Sequence, residues 1–272
     1  MVDEIQPIKP DPDDSSRMVD ESLASSESGV SDDADLRPAT TLRIKVWDVV
    51  DLLPDYKLVG ITWVFRTKHN HLNEIIEYKA CLCAQGFTQT PGLDYGKTYA
   101  PTGRMNSLRN LIAFEVSRGL LFHQVYVKSA FLNAPLTETV YLSIPQGLNL
   151  DQCKSCLCLN KAIYGLKKAP LTWYDRLKTW VVKVGFTPCL LDPCIFLRKN
   201  PVQLWLYIHV DDIAIFGLEV KYFKEEISKE LEIKDIGTAD LMLGVKISHS
   251  DKFIFLDQQH FTKALLELYG IE

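Results

Sequence analysis

The chain has 272 residues, of which 47% are hydrophobic and 24% are charged, so it is long enough for one large globular domain or two small ones. No apolar run approaches the roughly 20 residues that a membrane-spanning helix needs, and the acidic N-terminus matches neither a secretory signal nor a mitochondrial presequence. The formal net charge is −5. We expect an intracellular protein, cytoplasmic or alternatively nuclear, without a membrane partner.

The acidity is concentrated at the N-terminus. Residues 1–40 hold eleven acidic and three basic side chains, whereas the remaining 232 residues hold 24 acidic and 27 basic ones. Residues 1–42 are rich in Ser, Asp, Glu and Pro and lack aromatic residues, so they cannot bury enough apolar surface to fold. We predict a disordered acidic tail or linker over 1–42. The mildly basic body over 43–272 permits a polyanionic partner without requiring one.

The body alternates between strand and helix patterns. Residues 62–65 and 75–78 are β-branched and aromatic around a polar turn, which predicts a hairpin. Helical spacing of apolar residues predicts four helices, at about 107–118, 172–184, 220–231 and 259–269. Apolar runs predict four further strands, at about 120–127, 202–208, 213–216 and 253–256. Because regular βαβ alternation is missing from this order, we predict the α+β class.

The cysteines permit two interpretations. Their odd number, seven, and the absence of a signal indicate a reduced intracellular protein. Cys153, Cys156 and Cys158 have spacing that suits zinc, but a closed zinc site needs a fourth ligand. The nearest candidates are Cys189 and Cys194. The alternative is a strand carrying small apolar residues.

Asp211 and Asp212 lie between two strongly apolar strands. Two adjacent carboxylates at a hairpin tip repel each other and attract a cation, and Mg²⁺ prefers one or two carboxylates together with substrate phosphates. Such a site could support nucleotidyl transfer by two metal ions. The alternative is an ordinary turn, in which Asp is common without any metal.

Several segments resemble, in order, the reverse transcriptase of copia-type retrotransposons. They are WVFRTK (63–68), YKACLCAQGFTQ (78–89), HQVYVKSAFLN (123–133), AIYGLKKAPLTWY (162–174), HVDD (209–212) and IKDIGTADLMLGVKI (233–247). The resemblance spans about 45–272 and implies a polymerase right hand with an antiparallel palm sheet. Fingers would be about 43–119 and 135–160, palm about 120–134 and 161–250, and a truncated thumb would start over 251–272.

The resemblance also implies an activity and its partners. The activity would be RNA-directed DNA polymerisation, with an RNA template, a DNA primer, dNTP, and Mg²⁺ or Mn²⁺ as the metal. The remaining thumb, the connection, the RNase H, the protease and the integrase of the Pol polyprotein are expected to lie outside this chain. The alternative function is a nucleic-acid-binding remnant of a decayed element that no longer catalyses.

One position departs from the family where the chemistry is most sensitive. Tyr126 stands where the resemblance places the first metal-binding Asp, so we expect impaired catalysis and weakened metal binding. A phenol with its ordinary pKa near 10 brings no charge at neutral pH. Other departures are Cys81 and Leu171 where Arg is expected, Lys168 for Gln, Ser129 for Asn and His209 for Tyr.

The resemblance assigns roles to the residues that do match. Asp211 and Asp212 would be metal-binding and catalytic. Lys234 would be a general acid for the leaving pyrophosphate, or alternatively a solvated surface lysine. Phe131 would be a steric gate beneath the sugar, or alternatively an ordinary core residue. Lys79 would contact phosphate, or alternatively be a hairpin surface lysine, and Gly165 and Lys168 belong to the template-binding motif. Trp173 and Tyr174 are expected to be core residues.

Overall fold

The computed structural model describes residues 45–69, 75–148, 155–250 and 253–270. These residues form a mixed α and β structure with more strand than helix segments, in agreement with the predicted class. The predicted disordered tail, 1–42, lies outside the described residues. No helix in the described part of the chain is long and apolar enough to cross a membrane.

The strands and helices follow one another along the chain as expected for an α+β protein. The strands are β1 (Trp47–Val50), β2 (Leu58–Val59), β3 (Ile61–His69), β4 (Ile75–Ala84), β5 (His123–Val127), β6 (Tyr141–Leu142), β7 (Cys156–Leu159), β8 (Thr187–Pro188), β9 (Ile195–Arg198), β10 (Leu204–His209), β11 (Asp212–Gly217), β12 (Ile233–Thr238), β13 (Leu241–Met242), β14 (Val245–His249) and β15 (Ile254–Asp257). The helices are α1 (Met105–Ser117), α2 (Ala169–Lys183), α3 (Val220–Ser228) and α4 (Gln259–Tyr269).

The largest sheet has six antiparallel strands in the order β12-β5-β11-β10-β9-β8. Its central strands are covered on both faces. Leu206 and Ile208 belong to one hydrophobic cluster, and Tyr207 between them belongs to another. A strand buried on both sides needs apolar residues at successive positions. This explains the uninterrupted apolar run from Leu204 to Ile208.

Helices cover both faces of this sheet. Trp173 of α2 and Phe223 of α3 pack in the cluster that contains Leu206. Leu108 and Ile112 of α1 pack on the opposite face. The predicted core role of Trp173 is confirmed, and Tyr174 is also buried, as predicted. The sheet edge formed by β5, β11 and β12 carries the residues of the candidate site.

Two helices begin earlier than predicted. α1 begins at Met105 rather than 107, and the N–H of Arg104 donates to Asp192 Oδ2 at 3.2 Å. The carboxylate belongs to a distant loop, so no local sequence pattern predicts this contact. α2 begins at Ala169 rather than about 172, because Pro170 fits a first helical turn, where no N–H is needed.

Two further elements are shorter than predicted. β5 begins at His123 rather than 120, and α3 ends at Ser228 rather than 231.

The predicted hairpin is β3-β4, one of three smaller sheets; the others are β1-β7-β6-β2 and β13-β14-β15. The end of β4 packs against the loop before α2, where the N–H of Ala84 donates to the carbonyl oxygen of Tyr164 at 2.8 Å. Gly165 has φ +91°, and a Cβ there would lie 1.9 Å from the Ala84 oxygen. Only glycine permits this conformation and this approach of two backbones. The hairpin is therefore docked beside the large sheet.

The cysteine-rich segment forms a strand in its described part. Cys156 and Cys158 lie on β7, opposite Val50 and Asp48 of β1. Cys153 lies outside the described residues. Cys156 is buried and Cys158 is half-buried. The strand interpretation is confirmed for these two residues.

Candidate active site

Val210 and Asp211 form the two-residue turn between β10 and β11, with His209 paired opposite Asp212. Val210 has φ +57°, a conformation that β-branched residues rarely adopt. The surrounding structure holds it there, since the indole Nε1 of Trp173 donates to the Val210 carbonyl oxygen at 2.7 Å. Backbone strain of this kind persists only where neighbours fix the conformation. Helix α2 thus positions the turn that presents the two carboxylates.

Tyr126 lies on β5, between the strands that carry Asp212 and Lys234. It is the register partner of Asp212 on β11 and of Lys234 on β12. The N–H of Val127 donates to the Asp211 carbonyl oxygen at 2.8 Å, which ties β5 to the turn itself. Side chains opposite one another in an antiparallel ladder share a face of the sheet. The expectation that Tyr126 lies across from the aspartate pair on the neighbouring strand is confirmed.

The environment of Tyr126 keeps its hydroxyl protonated. Burial raises its pKa well above the ordinary value, and a hydrogen bond to Asp211 raises it further. The negative charges of Asp211 and Asp212 act in the same direction. The phenol is therefore neutral at any physiological pH and adds no negative charge beside the two carboxylates.

Asp212 is held by a residue that the sequence analysis did not single out. Gln124 Nε2 donates to Asp212 Oδ1 at 2.8 Å, and Gln124 is only 6% exposed. Burial raises the pKa of Asp212, the hydrogen bond from Gln124 lowers it, and the charge of Asp211 raises it. The only signal in the sequence was strand alternation, which places Gln124 on the same face as Tyr126.

Tyr164 connects the site to the hairpin. Its ring packs on Phe131, with centroids 4.7 Å apart and planes tilted by 58°. Burial raises its pKa, and the nearby Asp211, Cys81 and Cys83 raise it further. Tyr164 therefore lies within electrostatic reach of both the aspartate turn and the two cysteines of β4. Tyr164 was missed as a site residue, although it is one of three aromatic residues within the predicted template motif at 162–174.

Four other predicted site residues lie in different surroundings. Lys234 is exposed and lies beside Tyr126. Phe131 packs partly against the core and partly against Tyr164, which suits both interpretations of it. Lys168 precedes α2 and forms an ion pair with Glu138, and this pairing lowers the pKa of Glu138 despite its burial. Lys79 lies on the hairpin, opposite Arg66.

The residues around the turn do not fit a centre built from three carboxylates. Asp211 and Asp212 supply two, and the third position is the neutral phenol of Tyr126. Among the described residues, no group of three or more His, Cys, Asp or Glu side chains is placed to hold a metal ion. Mg²⁺ prefers hard anionic oxygen ligands, and a protonated phenol is a poor substitute.

Comparison with known proteins identifies the family. A family model described as "Reverse transcriptase (RNA-dependent DNA polymerase)" matches residues 44–272. The chain belongs to this reverse transcriptase family. The reverse transcriptase family generally uses divalent metal ions such as Mg²⁺.

Two curated relatives specify the branch of the family. The chain is 34% identical over 226 residues to "Retrovirus-related Pol polyprotein from transposon RE2" of Arabidopsis thaliana, covering 81% of this chain and 16% of that protein. It is 30% identical over 236 residues to "Retrovirus-related Pol polyprotein from transposon TNT 1-94" of Nicotiana tabacum, covering 83% and 18%. The predicted resemblance to copia-type Pol polyproteins is confirmed. The chain spans less than a fifth of the length of these relatives.

Proposed function

We propose that this chain is a reverse transcriptase domain with the right-hand architecture whose polymerisation chemistry is impaired by Tyr126. In this proposal the six-stranded sheet with α2 and α3 is the palm. The fingers comprise about 43–119 and 135–160 and include the β3-β4 hairpin. The segment 251–272, with α4, begins the thumb. The proposed partners are an RNA template, a DNA primer and dNTP.

The observation that carries the proposal is the register of Tyr126, which lies opposite Asp212 on the neighbouring strand. A neutral phenol cannot supply the charge that a third carboxylate would bring to a centre for Mg²⁺ or Mn²⁺. The expected consequence is weak metal binding at Asp211 and Asp212, and weak catalysis with it.

Other residues of the site keep arrangements that suit the ancestral reaction. Lys234, the register partner of Tyr126, would donate a proton to the departing pyrophosphate. Phe131 and Tyr164 form an aromatic pair that suits contact with the sugar of an incoming nucleotide. A protein that keeps these residues and lacks the third carboxylate could still bind nucleic acid without extending a primer. Binding without catalysis is therefore the second candidate function.

Primer extension tests the proposal. The purified 272-residue chain, Tyr126→Asp and Tyr126→Phe would be compared on a primed RNA template with Mg²⁺ and with Mn²⁺. We expect Tyr126→Asp to extend the primer at least about 10²-fold faster than the unaltered chain, since losing a single stabilising group costs 10²–10³ in rate. Tyr126→Phe removes the hydroxyl without adding a carboxylate and should stay inactive.

The controls separate the possible failures. Asp211→Asn in the Tyr126→Asp background should abolish any recovered extension. Extension by the unaltered chain at the rate of Tyr126→Asp would overturn the proposal. If no variant extends the primer while all of them bind the primed template, the second candidate function is supported.

A further inference from the structure

Helix α4 presents an apolar face that no described part of the chain covers. Its large apolar residues recur at i, i+4, i+7 and i+8, which is the spacing of one helix face, and they are Phe261, Leu265, Leu268 and Tyr269. Every described side chain of α4 is exposed, and none belongs to either hydrophobic cluster of the described chain. We refer to these four residues as the α4 face.

The length of α4 indicates that the α4 face needs a partner. The helix has 11 residues, and isolated helices shorter than about 12–15 residues are marginal in water. Gly270 forms a left-handed C-cap, whereas no side chain in the described chain caps the N-terminus at Gln258. Most helical stability in proteins comes from packing of an apolar face. A helix of this kind is therefore stabilised when another surface covers it.

Two further exposed rings lie at β15, immediately before α4. The rings of Phe253 and Phe255 have centroids 6.3 Å apart. Strand β15 is at the edge of its three-stranded sheet, and Gln258 alone separates it from α4. Five large apolar side chains of this segment are between 58% and 74% exposed, namely Phe253, Phe255, Phe261, Leu268 and Tyr269. An exposed apolar surface of several hundred Å² marks an interaction site.

The area of this surface suits a dimer of two identical chains. A large aromatic side chain presents about 150–250 Å² when fully exposed, so the five side chains together expose roughly 600 Å². Two copies that cover each other over this segment would bury about 1,200 Å² in total, which is where specific interfaces begin. A second copy therefore supplies enough apolar area for specific pairing.

The charges of α4 argue against a membrane or a nucleic acid as the partner. Gln259, Lys263 and Glu267 lie at i, i+4 and i+8 on the side opposite the α4 face, and one cation is balanced by one anion. Helices that bind lipid surfaces are rich in Lys and Arg on the polar face, and nucleic-acid binding requires cations that neutralise phosphates. The α4 face itself carries no charge, so two copies of it can meet without repulsion.

We propose that two copies of this chain pair through the α4 face in a dimer with twofold symmetry. Phe261 and Tyr269 are each four residues from Leu265. Antiparallel helices that cross at Leu265 would therefore place each Phe261 ring beside the Tyr269 ring of the second copy. Closed twofold dimers are the commonest assemblies of identical chains. The proposal uses no residue of the candidate active site and does not depend on the proposed function.

Sedimentation velocity on the purified 272-residue chain tests the proposal. We expect the unaltered chain to be a dimer at about 100 µM, as suits an interface near the lower limit of specific ones. Phe261→Gln combined with Leu265→Gln removes two apolar side chains and introduces good helix formers. The Kd of the dimer should become at least about a hundredfold weaker, because each copy loses two buried apolar contacts.

A matched control places the same two new residues on the opposite side of α4. Lys263→Gln combined with Glu267→Gln should leave the Kd of the dimer unchanged. The four replaced side chains are exposed, so both double variants should retain the near-UV circular dichroism of the folded chain. A difference in Kd between the two double variants then reports the α4 face rather than a loss of folding.

Disulfide crosslinking tests the twofold arrangement. In the proposed dimer the two copies of Leu265 meet at the symmetry axis, whereas the two copies of Lys263 lie on outer faces. Leu265→Cys treated with diamide should give a covalent dimer on a non-reducing gel in higher yield than Lys263→Cys. The unaltered chain, treated in the same way, measures the background from its own cysteines.

Three results would overturn the proposal. The first is a chain that remains monomeric at about 100 µM. The second is a dimer that both double variants weaken equally. The third is a dimer in which Lys263→Cys crosslinks as efficiently as Leu265→Cys. Because these readouts are self-association and crosslinking, they stay separate from the outcome of primer extension by Tyr126→Asp.

Discussion

The indole of Trp173 donates a hydrogen bond to the carbonyl oxygen of Val210 at 2.7 Å. This hydrogen bond joins the buried face of α2 to the turn that carries Asp211. Val210 has φ +57°, which is unfavourable for a β-branched residue, so the turn depends on external support. One core residue of α2 thus determines where the aspartate pair is presented.

Replacing Trp173 with Phe should therefore destabilise the protein beyond the effect of the smaller ring. The Val210 carbonyl would lose its partner, and leaving a polar group unpaired costs about 1–3 kcal/mol. Trp180→Phe is the matched control, since Trp180 packs in the same cluster. Urea denaturation should give a larger decrease in the free energy of unfolding for Trp173→Phe. Equal decreases would show that the hydrogen bond contributes nothing.

Gly165→Ala should be among the most damaging single substitutions in the chain. The new Cβ would lie 1.9 Å from the Ala84 oxygen, and φ is +91°. We expect the free energy of unfolding to fall by more than about 2 kcal/mol, because two backbones would have to separate. Gly119→Ala provides the comparison: its φ is +68° and no atom lies within 4 Å of the added Cβ.

For Gly119→Ala only the left-handed conformation is unfavourable, which costs roughly 1–2 kcal/mol. Thermal unfolding should therefore give a clearly lower Tm for Gly165→Ala than for Gly119→Ala. If both variants were destabilised equally, the close packing of the 164–166 loop on β4 would not explain why position 165 requires glycine.

Local sequence patterns predicted which segments form strands and helices better than they predicted which strands pair with one another. The apolar run before Asp211 and the run after Asp212 predicted two strands and a tight turn, and β10-β11 confirms them. Propensity and periodicity act over a few residues, so they can indicate a strand but not its neighbour. The pairing of β5 with β11 was expected only because the order of motifs resembled a known family.

Long-range polar contacts were not predictable from the sequence. Gln124 and Asp212 are 88 residues apart and meet only because β5 and β11 pair. Asp192 and Arg104 are also 88 residues apart, and they meet just before the start of α1. Tertiary interactions of this kind override local propensity. The aspartate pair could be found from the sequence, whereas the group that orients Asp212 could not.

The stability of the site should depend on pH through Asp212. Burial raises its pKa, and the hydrogen bond from Gln124 lowers it only in part. A carboxyl whose folded pKa exceeds the unfolded value stabilises the fold below the unfolded pKa, and this stabilisation disappears as pH rises through the folded pKa. We expect Asp212→Asn, which can still accept from Gln124, to raise the free energy of unfolding near neutral pH and to change it little in acid.

Asp235 provides a control for which we expect the free energy of unfolding to depend on pH in the opposite direction. Burial acts to raise its pKa, but the hydrogen bonds from Lys224 and the Gly237 N–H outweigh burial and lower it. Its stabilisation is present above the unfolded pKa and disappears as pH falls through the folded pKa. Asp235→Asn should therefore destabilise the protein at neutral pH and have less effect in acid. Denaturant titrations across pH that gave both variants the same sign would contradict the assigned environments.

Tyr126→Asp should make the stability of the protein depend on Mg²⁺. A carboxylate opposite Asp212 and next to Asp211 adds a third negative charge to one cluster. Without metal, this repulsion should lower the Tm below that of the unaltered chain. A ligand that binds only the folded state raises stability by RT ln(1 + [L]/Kd), so adding Mg²⁺ should restore the Tm. Thermal unfolding in EDTA and in Mg²⁺ measures both effects.

The unaltered chain and Tyr126→Asn test whether charge is responsible for that response. Asn is close to Asp in size and lacks its charge, so Tyr126→Asn should show neither the lower Tm in EDTA nor the recovery in Mg²⁺. The unaltered chain should respond weakly to Mg²⁺, because the protonated hydroxyl of Tyr126 supplies no anionic ligand. If Mg²⁺ raised the Tm of the unaltered chain as much as that of Tyr126→Asp, two aspartates would suffice to bind the ion. Tyr126 would then not explain any decrease in catalysis.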